Sequence, residues 1–188
     1  MTKICEQMQA VFDEADCLHE AEAIEQALDK MAAEISAKIG HSNPLALCVM
    51  KGGLIPAGLL LPRLNFSLEI DYIHASRYAD KTRGGELDWV IKPSAAIKGR
   101  VLLLIDDIHD EGLTMAAIVK ACEDAGAGEV YSAALINKIH DRKNNTSADF
   151  IGLDVEDRYV FGCGMDYKGY WRNLPAVYAI KEDKEDEG

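Results

Sequence analysis

The sequence predicts an α/β fold in which a central, mainly parallel sheet is flanked by helices. Three observations predict it. Val101–Ile105 is an unbroken apolar run, followed by a polar turn, helical spacing across Thr114–Ala125 and a second apolar run at Val130–Ile136. Strand, helix and strand in close succession form a βαβ unit, and such units build parallel sheets. Leu45–Met50 is a further short apolar run of the kind a doubly covered strand needs. The chain has 188 residues, 48% of them hydrophobic and 28% charged, which suits one domain with an ordinary core.

The elements follow in order. The first forty residues have helical character, with the N-terminal helix placed at 14–39. Ile24, Leu28, Met31, Ile35 and Ile39 recur at spacings of three and four, so they share one face. Gly40 suits the C-cap, and Pro44 blocks continuation. After the strand at Leu45–Met50, Lys51-Gly52-Gly53 breaks the chain, and Ile55–Leu61 reads as a short helix. Leu68–Ala75 has strand character. The polar segment 76–86 reads as a long loop of the kind that serves as a lid, and Leu87–Ile91 as the returning arm of a hairpin. Beyond Val130–Ile136, the segment 143–147 is a polar loop. Phe150–Leu153, Tyr159–Gly162 and Val177–Ile180 are short strand candidates, and the charged tail 181–188 is expected to be disordered.

Charge excludes some functions. Lys plus Arg is 20 and Asp plus Glu is 32, a net charge of −12. Nucleic-acid binding leaves a basic footprint, and an anionic membrane surface repels such a chain, so neither partner is expected. The five cysteines are scattered and include no C-x-x-C pair, which fits reduced thiols in a cytoplasmic protein. The opening residues carry Glu6, Asp13 and Glu14 and do not read as a signal peptide.

The chemistry concentrates in Leu104-Ile105-Asp106-Asp107-Ile108-His109-Asp110-Glu111-Gly112-Leu113-Thr114. Asp106 and Asp107 fall at the carboxyl end of a strand, where open α/β sheets bind ligands. Asp110 to Thr114 form the turn into the next helix, whose free N–H groups favour an anion. An anion cradle beside acids that can grip vicinal hydroxyls or Mg²⁺ suits a phosphorylated sugar. The rival readings are a capped acidic loop and a receiver-type phosphoacceptor. The latter places its acids on the first strand, whereas a long segment precedes them here.

This segment resembles the phosphoribosyl-pyrophosphate (PRPP) motif of the purine phosphoribosyltransferases. From about Leu45 to Ile180 the chain is similar to the hypoxanthine-guanine members of that family. Four blocks agree in order: Ala46–Gly53, Asp71–Tyr78, the Asp-Asp segment, and Asp157–Tyr167 followed by Tyr170–Pro175. The resemblance implies the type I phosphoribosyltransferase fold, with a small hood and a flexible lid. The implied reaction transfers the phosphoribosyl group from PRPP to hypoxanthine or guanine. It yields IMP or GMP and pyrophosphate, with Mg²⁺, in a homodimer or homotetramer.

Roles carry over residue by residue. Asp110 would be the acid/base near purine N7. Asp106 and Asp107 would bind the ribose hydroxyls, and Asp110, Glu111, Gly112, Leu113 and Thr114 the 5′-phosphate. Lys51, Gly52 and Arg172 would bind pyrophosphate, with a cis peptide before Lys51. Lys138, Tyr159, Val160, Met165 and Asp166 would bind the purine. Ser76, Arg77 and Tyr78 would belong to the lid, and Asp106, Asp107 and Asp166 would hold metal. Glu111 and Leu113 depart from the family pattern, which has Thr and a basic or polar residue there. A PRPP-sensing regulator lacks its expected basic face here. The choice among 6-oxopurines stays open, whereas an adenine enzyme would lack the Lys138 donor.

Overall fold

The computed structural model describes residues 2–77, 87–92, 96–143 and 146–181. Its large sheet is built on the apolar runs. β2 (Leu45–Met50), β3 (Glu69–Arg77), β5 (Val101–His109), β6 (Glu129–Lys138) and β7 (Phe150–Val155) run parallel. β4 (Leu87–Ile91) joins antiparallel at one edge, giving the order β4-β3-β2-β5-β6-β7. β2 and β5 lie at the centre. Their side chains are buried on both faces, so these strands need continuous rather than alternating apolar sequence.

Helices cover both faces. α2 (Ala21–Ile39) and α3 (Leu54–Leu60) lie on one side. α2 presents the expected stripe, and Ile24, Leu28, Met31, Ile35 and Ile39 are all buried in the larger core cluster. Each such side chain contributes roughly 1.5–3 kcal/mol by leaving water. α4 (Leu113–Asp124) lies on the opposite side, inserting Met115, Ile118 and Cys122 against β2 and β5. A second, antiparallel sheet has the order β1-β9-β8, formed by Asp16–His19, Val177–Ala179 and Val160–Phe161. α1 (Lys3–Glu14) docks beside it. Phe12 packs edge-on to Tyr178 and tilted to Trp171, and the Trp171 indole N–H donates to the Met8 carbonyl at 3.2 Å.

The N-terminal helix expected at 14–39 is corrected. α2 begins at Ala21, and Asp16–His19 is a strand whose ladder partners lie at the far end of the chain. β5 continues through Asp106 and Asp107 to His109, so both acids are strand residues rather than the start of a loop. Of the segment 76–86 expected as the lid, Ser76 and Arg77 belong to β3, and residues 78–86, residues 144–145 of the polar loop and the tail from 182 lie outside the described residues. Among the described residues no helix is long and apolar enough to cross a membrane.

Candidate active site

The carboxyl ends of β2 and β5 meet at the middle of the sheet. Met50 and Lys51 are joined by a cis peptide, and Gly52 then passes directly against the Asp107 side chain. A Cβ at Gly52 would overlap the Asp107 carboxylate, so only glycine permits this approach. Lys51 is exposed.

Asp106 and Asp107 fix each other and the local backbone. The Asp107 N–H donates to Asp106 Oδ1 at 2.9 Å, and the Ile108 N–H to Asp107 Oδ1 at 2.7 Å. Asp107 is only 8% exposed. Burial and the neighbouring Asp107 charge push Asp106 well above the usual carboxylate range. Burial also raises Asp107, although hydrogen bonds and the Arg172 charge oppose it.

Past β5, Asp110, Glu111 and Gly112 turn the chain into α4. Gly112 is the N-cap residue, with φ +78°, and carries no side chain to occupy the free N–H groups of the first turn. A Cβ there would overlap Thr146 Oγ1 from the β6–β7 connection. A cavity of about 340 Å³ follows this turn and is lined by Asp106 through Met115. Unsatisfied N–H groups at a helix start make it an anion cradle. Glu111 is exposed on this turn, and Leu113 and Thr114 are partly exposed.

A second cavity of about 200 Å³ adjoins it, lined by Asp107, Ile108, Asp110, Lys138, Tyr159, Val160, Met165 and Asp166. All five residues expected at the purine are in that lining. Lys138, the last residue of β6, extends its ammonium to Asp110 Oδ2 at 2.9 Å. His140 Nε2 meets the other oxygen, Oδ1, at 2.6 Å. Burial pushes Asp110 up, but hydrogen bonds from Lys138 and His140 and the charge of Lys138 hold it below the ordinary aspartate value. Tyr159 is 53% exposed and stands edge-on to Tyr167, with its hydroxyl donating to the Asp166 carbonyl at 3.2 Å.

Arg172 ties the small sheet to the large one. Its guanidinium donates to the Gly164 carbonyl at 2.6 Å, pairs with the Asp166 carboxylate and lies 3.7 Å from Asp107 Oδ2. Among the described residues no group of three or more His, Cys, Asp and Glu side chains is arranged to hold a metal ion. Asp106 and Asp107 are adjacent, while Asp166 is engaged by Arg172 and by the Gly169 N–H. Two crowded carboxylates are nevertheless a donor set for Mg²⁺, which takes one or two acids and completes its shell with substrate phosphates and water.

The structure therefore brings Lys51, Gly52, Asp106, Asp107, Asp110–Thr114, Lys138, Tyr159, Val160, Met165, Asp166 and Arg172 to one end of the sheet. The backbone of Ser76 and Arg77 closes β3, and Tyr78 lies outside the described residues. Sequence reasoning missed His140. It lies beyond the end of β6, outside every matched block, and only the folded chain shows its ring turned onto Asp110.

The match to known proteins agrees with this geometry. The phosphoribosyl transferase domain model covers residues 14–168, and the chain belongs to that family. It is 32% identical over 161 residues to the hypoxanthine-guanine phosphoribosyltransferase of Bacillus subtilis, covering 85% of this chain and 89% of the relative. It is 31% identical to the hypoxanthine-guanine-xanthine phosphoribosyltransferase of Tritrichomonas foetus, over 88% of this chain and 91% of that one. In fold it is similar to a hypoxanthine phosphoribosyltransferase from Staphylococcus aureus, with a TM-score of 0.85 at 24% identity over 92% of this chain and 95% of that chain.

Proposed function

We propose that this protein transfers the phosphoribosyl group of PRPP to a 6-oxopurine in purine salvage, making IMP from hypoxanthine or GMP from guanine. The observation that carries this reading is the side-by-side placement of Lys138 Nζ and Asp110 Oδ2, 2.9 Å apart, in the smaller cavity. A 6-oxopurine offers the matching edge, with O6 as acceptor beside N7–H as donor. Lys138 has three donors, so it can serve O6 while staying on Asp110. Tyr159 offers an open ring face to the base.

In this reading the N9–C1′ bond forms as the C1′–O bond to pyrophosphate breaks, the bonding pair leaving with pyrophosphate. The ribose passes through an oxocarbenium-like state, and Asp110 takes the N7 proton, a contribution of roughly 10²–10⁴ in rate. Asp106 and Asp107 hold the ribose hydroxyls. The Glu111–Thr114 turn holds the 5′-phosphate through backbone N–H groups and the Thr114 hydroxyl, since a carboxylate at Glu111 cannot donate. Lys51, Gly52 and Arg172 receive pyrophosphate. Mg²⁺ held by Asp106, Asp107 and Asp166 with PRPP oxygens would neutralise charge on the leaving group. The assembly is a homodimer or homotetramer.

The test offers hypoxanthine, guanine, xanthine and adenine separately with PRPP and Mg²⁺ and measures nucleotide and pyrophosphate. Hypoxanthine and guanine are expected to turn over. Xanthine is expected to be poorer, because its 2-oxygen faces carbonyl acceptors of Val160 and Asp166. Adenine brings a 6-amino donor to the Lys138 donor and should be rejected. Adenine turnover rivalling that of hypoxanthine overturns the reading.

A further inference from the structure

The Asp110 carboxylate is gripped at both oxygens, and only one grip is explained by base recognition. Lys138 holds Oδ2 on the cavity side, and His140 holds Oδ1 at 2.6 Å on the other. The His140 ring is almost fully enclosed, with 3% of its side chain exposed. Its tautomer is set by a third contact, because the Arg142 backbone N–H donates to His140 Nδ1 at 3.1 Å. A nitrogen that accepts a hydrogen bond carries no proton, so Nε2 must carry it and donate to Asp110.

We infer that His140 is a positioning residue for the phosphoribosyl transfer: as a neutral donor it fixes the rotation of the Asp110 carboxylate, leaving Oδ2 aimed at the purine N7 proton. This inference rests on the proposed role of Asp110 and adds a residue to it. A carboxylate held at one oxygen only can swing about its last torsion, and small misplacements of a reacting group cost large factors in rate. The loop bearing His140 is braced for the task. Arg142 forms a two-pronged ion pair with Asp157, at 2.6 and 2.8 Å, on the connection leading to β8. Lys138, Arg142, Asp157 and Glu111 are charged groups whose fields reach this cluster, and Asp107 and Asp166 line the same cavity. His140→Leu and His140→Gln both lack the imidazole and differ in the donor they offer Asp110, so a pH profile that moves in one and not in the other reports on that contact.

The test compares wild type with His140→Leu, His140→Gln and Asp110→Asn, using hypoxanthine and PRPP over the pH range in which circular dichroism shows each protein folded. His140→Leu is expected to lower kcat about tenfold with the KM for PRPP unchanged. The acid limb of its kcat/KM profile should move up by about one pH unit, the worth of one hydrogen bond to a charged group. His140→Gln, which restores an N–H donor, should recover most of both losses. Wild-type kcat and an unmoved acid limb in His140→Leu overturn the inference, as does a His140→Gln protein that folds and behaves no better than His140→Leu. Asp110→Asn separates the two levels: wild-type turnover there overturns the role of Asp110 itself, whereas a crippled Asp110→Asn beside a normal His140→Leu removes only the positioning role.

Discussion

In the proposed reaction Asp110 is the residue on which the chemistry turns, and its surroundings suit a proton acceptor that must also be an orienting group. Lys138 and His140 keep it ionised and pointed. Asp110→Asn preserves the shape and removes the basicity. Steady-state assays of that variant should show kcat lowered by about 10²-fold or more with little change in the KM for PRPP. Near-normal turnover would refute the assignment. The acids and Tyr159 were legible beforehand because they sit in blocks whose order resembles a known family, and Lys138 because it ends the apolar run Leu135-Ile136-Asn137-Lys138, where the resemblance implies a purine donor. His140 was not, because its contact with Asp110 depends on where the chain leaving β6 turns, and no periodicity encodes that turn.

Among the elements, the start of α4 carries the most exacting requirement. Gly112 combines a left-handed backbone with contact against Thr146, so a side chain there meets both strain and overlap. Gly112→Ala should cost about 1–2 kcal/mol from the backbone alone, read as a lowered Tm. It should also raise the KM for PRPP, because the amides of the cradle shift. An unchanged Tm and KM would mean the turn is not held as described. α2 was legible from its apolar stripe, which runs from Ile24 to Ile39 over about four turns of helix. β1 was not. Asp16–His19 is too short to show alternation, and it is a strand only because β9 lies beside it. β5 was read short because paired aspartates look like a loop. Here they are sustained in the strand by parallel pairing with β6, which continues past Asp106.

At the scale of the whole molecule, a net charge of −12 opposes the approach of an anionic sugar phosphate, although Lys51, Lys138 and Arg172 stand at the site. The repulsion is long-ranged, and salt shortens its reach from about 30 Å at 0.01 M to about 8 Å at 0.15 M. The local contacts are short and less screened. The value of kcat/KM for PRPP, measured at saturating Mg²⁺, should therefore rise as ionic strength increases over that range. A steady fall would show that the basic groups at the site dominate the field. The fold class was legible from the βαβ succession alone. The small sheet was less so, because it joins segments from opposite ends of the chain.

Trp171 gives this architecture a built-in optical gauge. The chain has two tryptophans, and this one is wedged between Phe12 of α1 and the segment that carries Arg172. Its indole therefore senses whether the first helix is seated. With Trp89 replaced by Phe, the emission of a single residue follows the seating of that helix in real time, without a label.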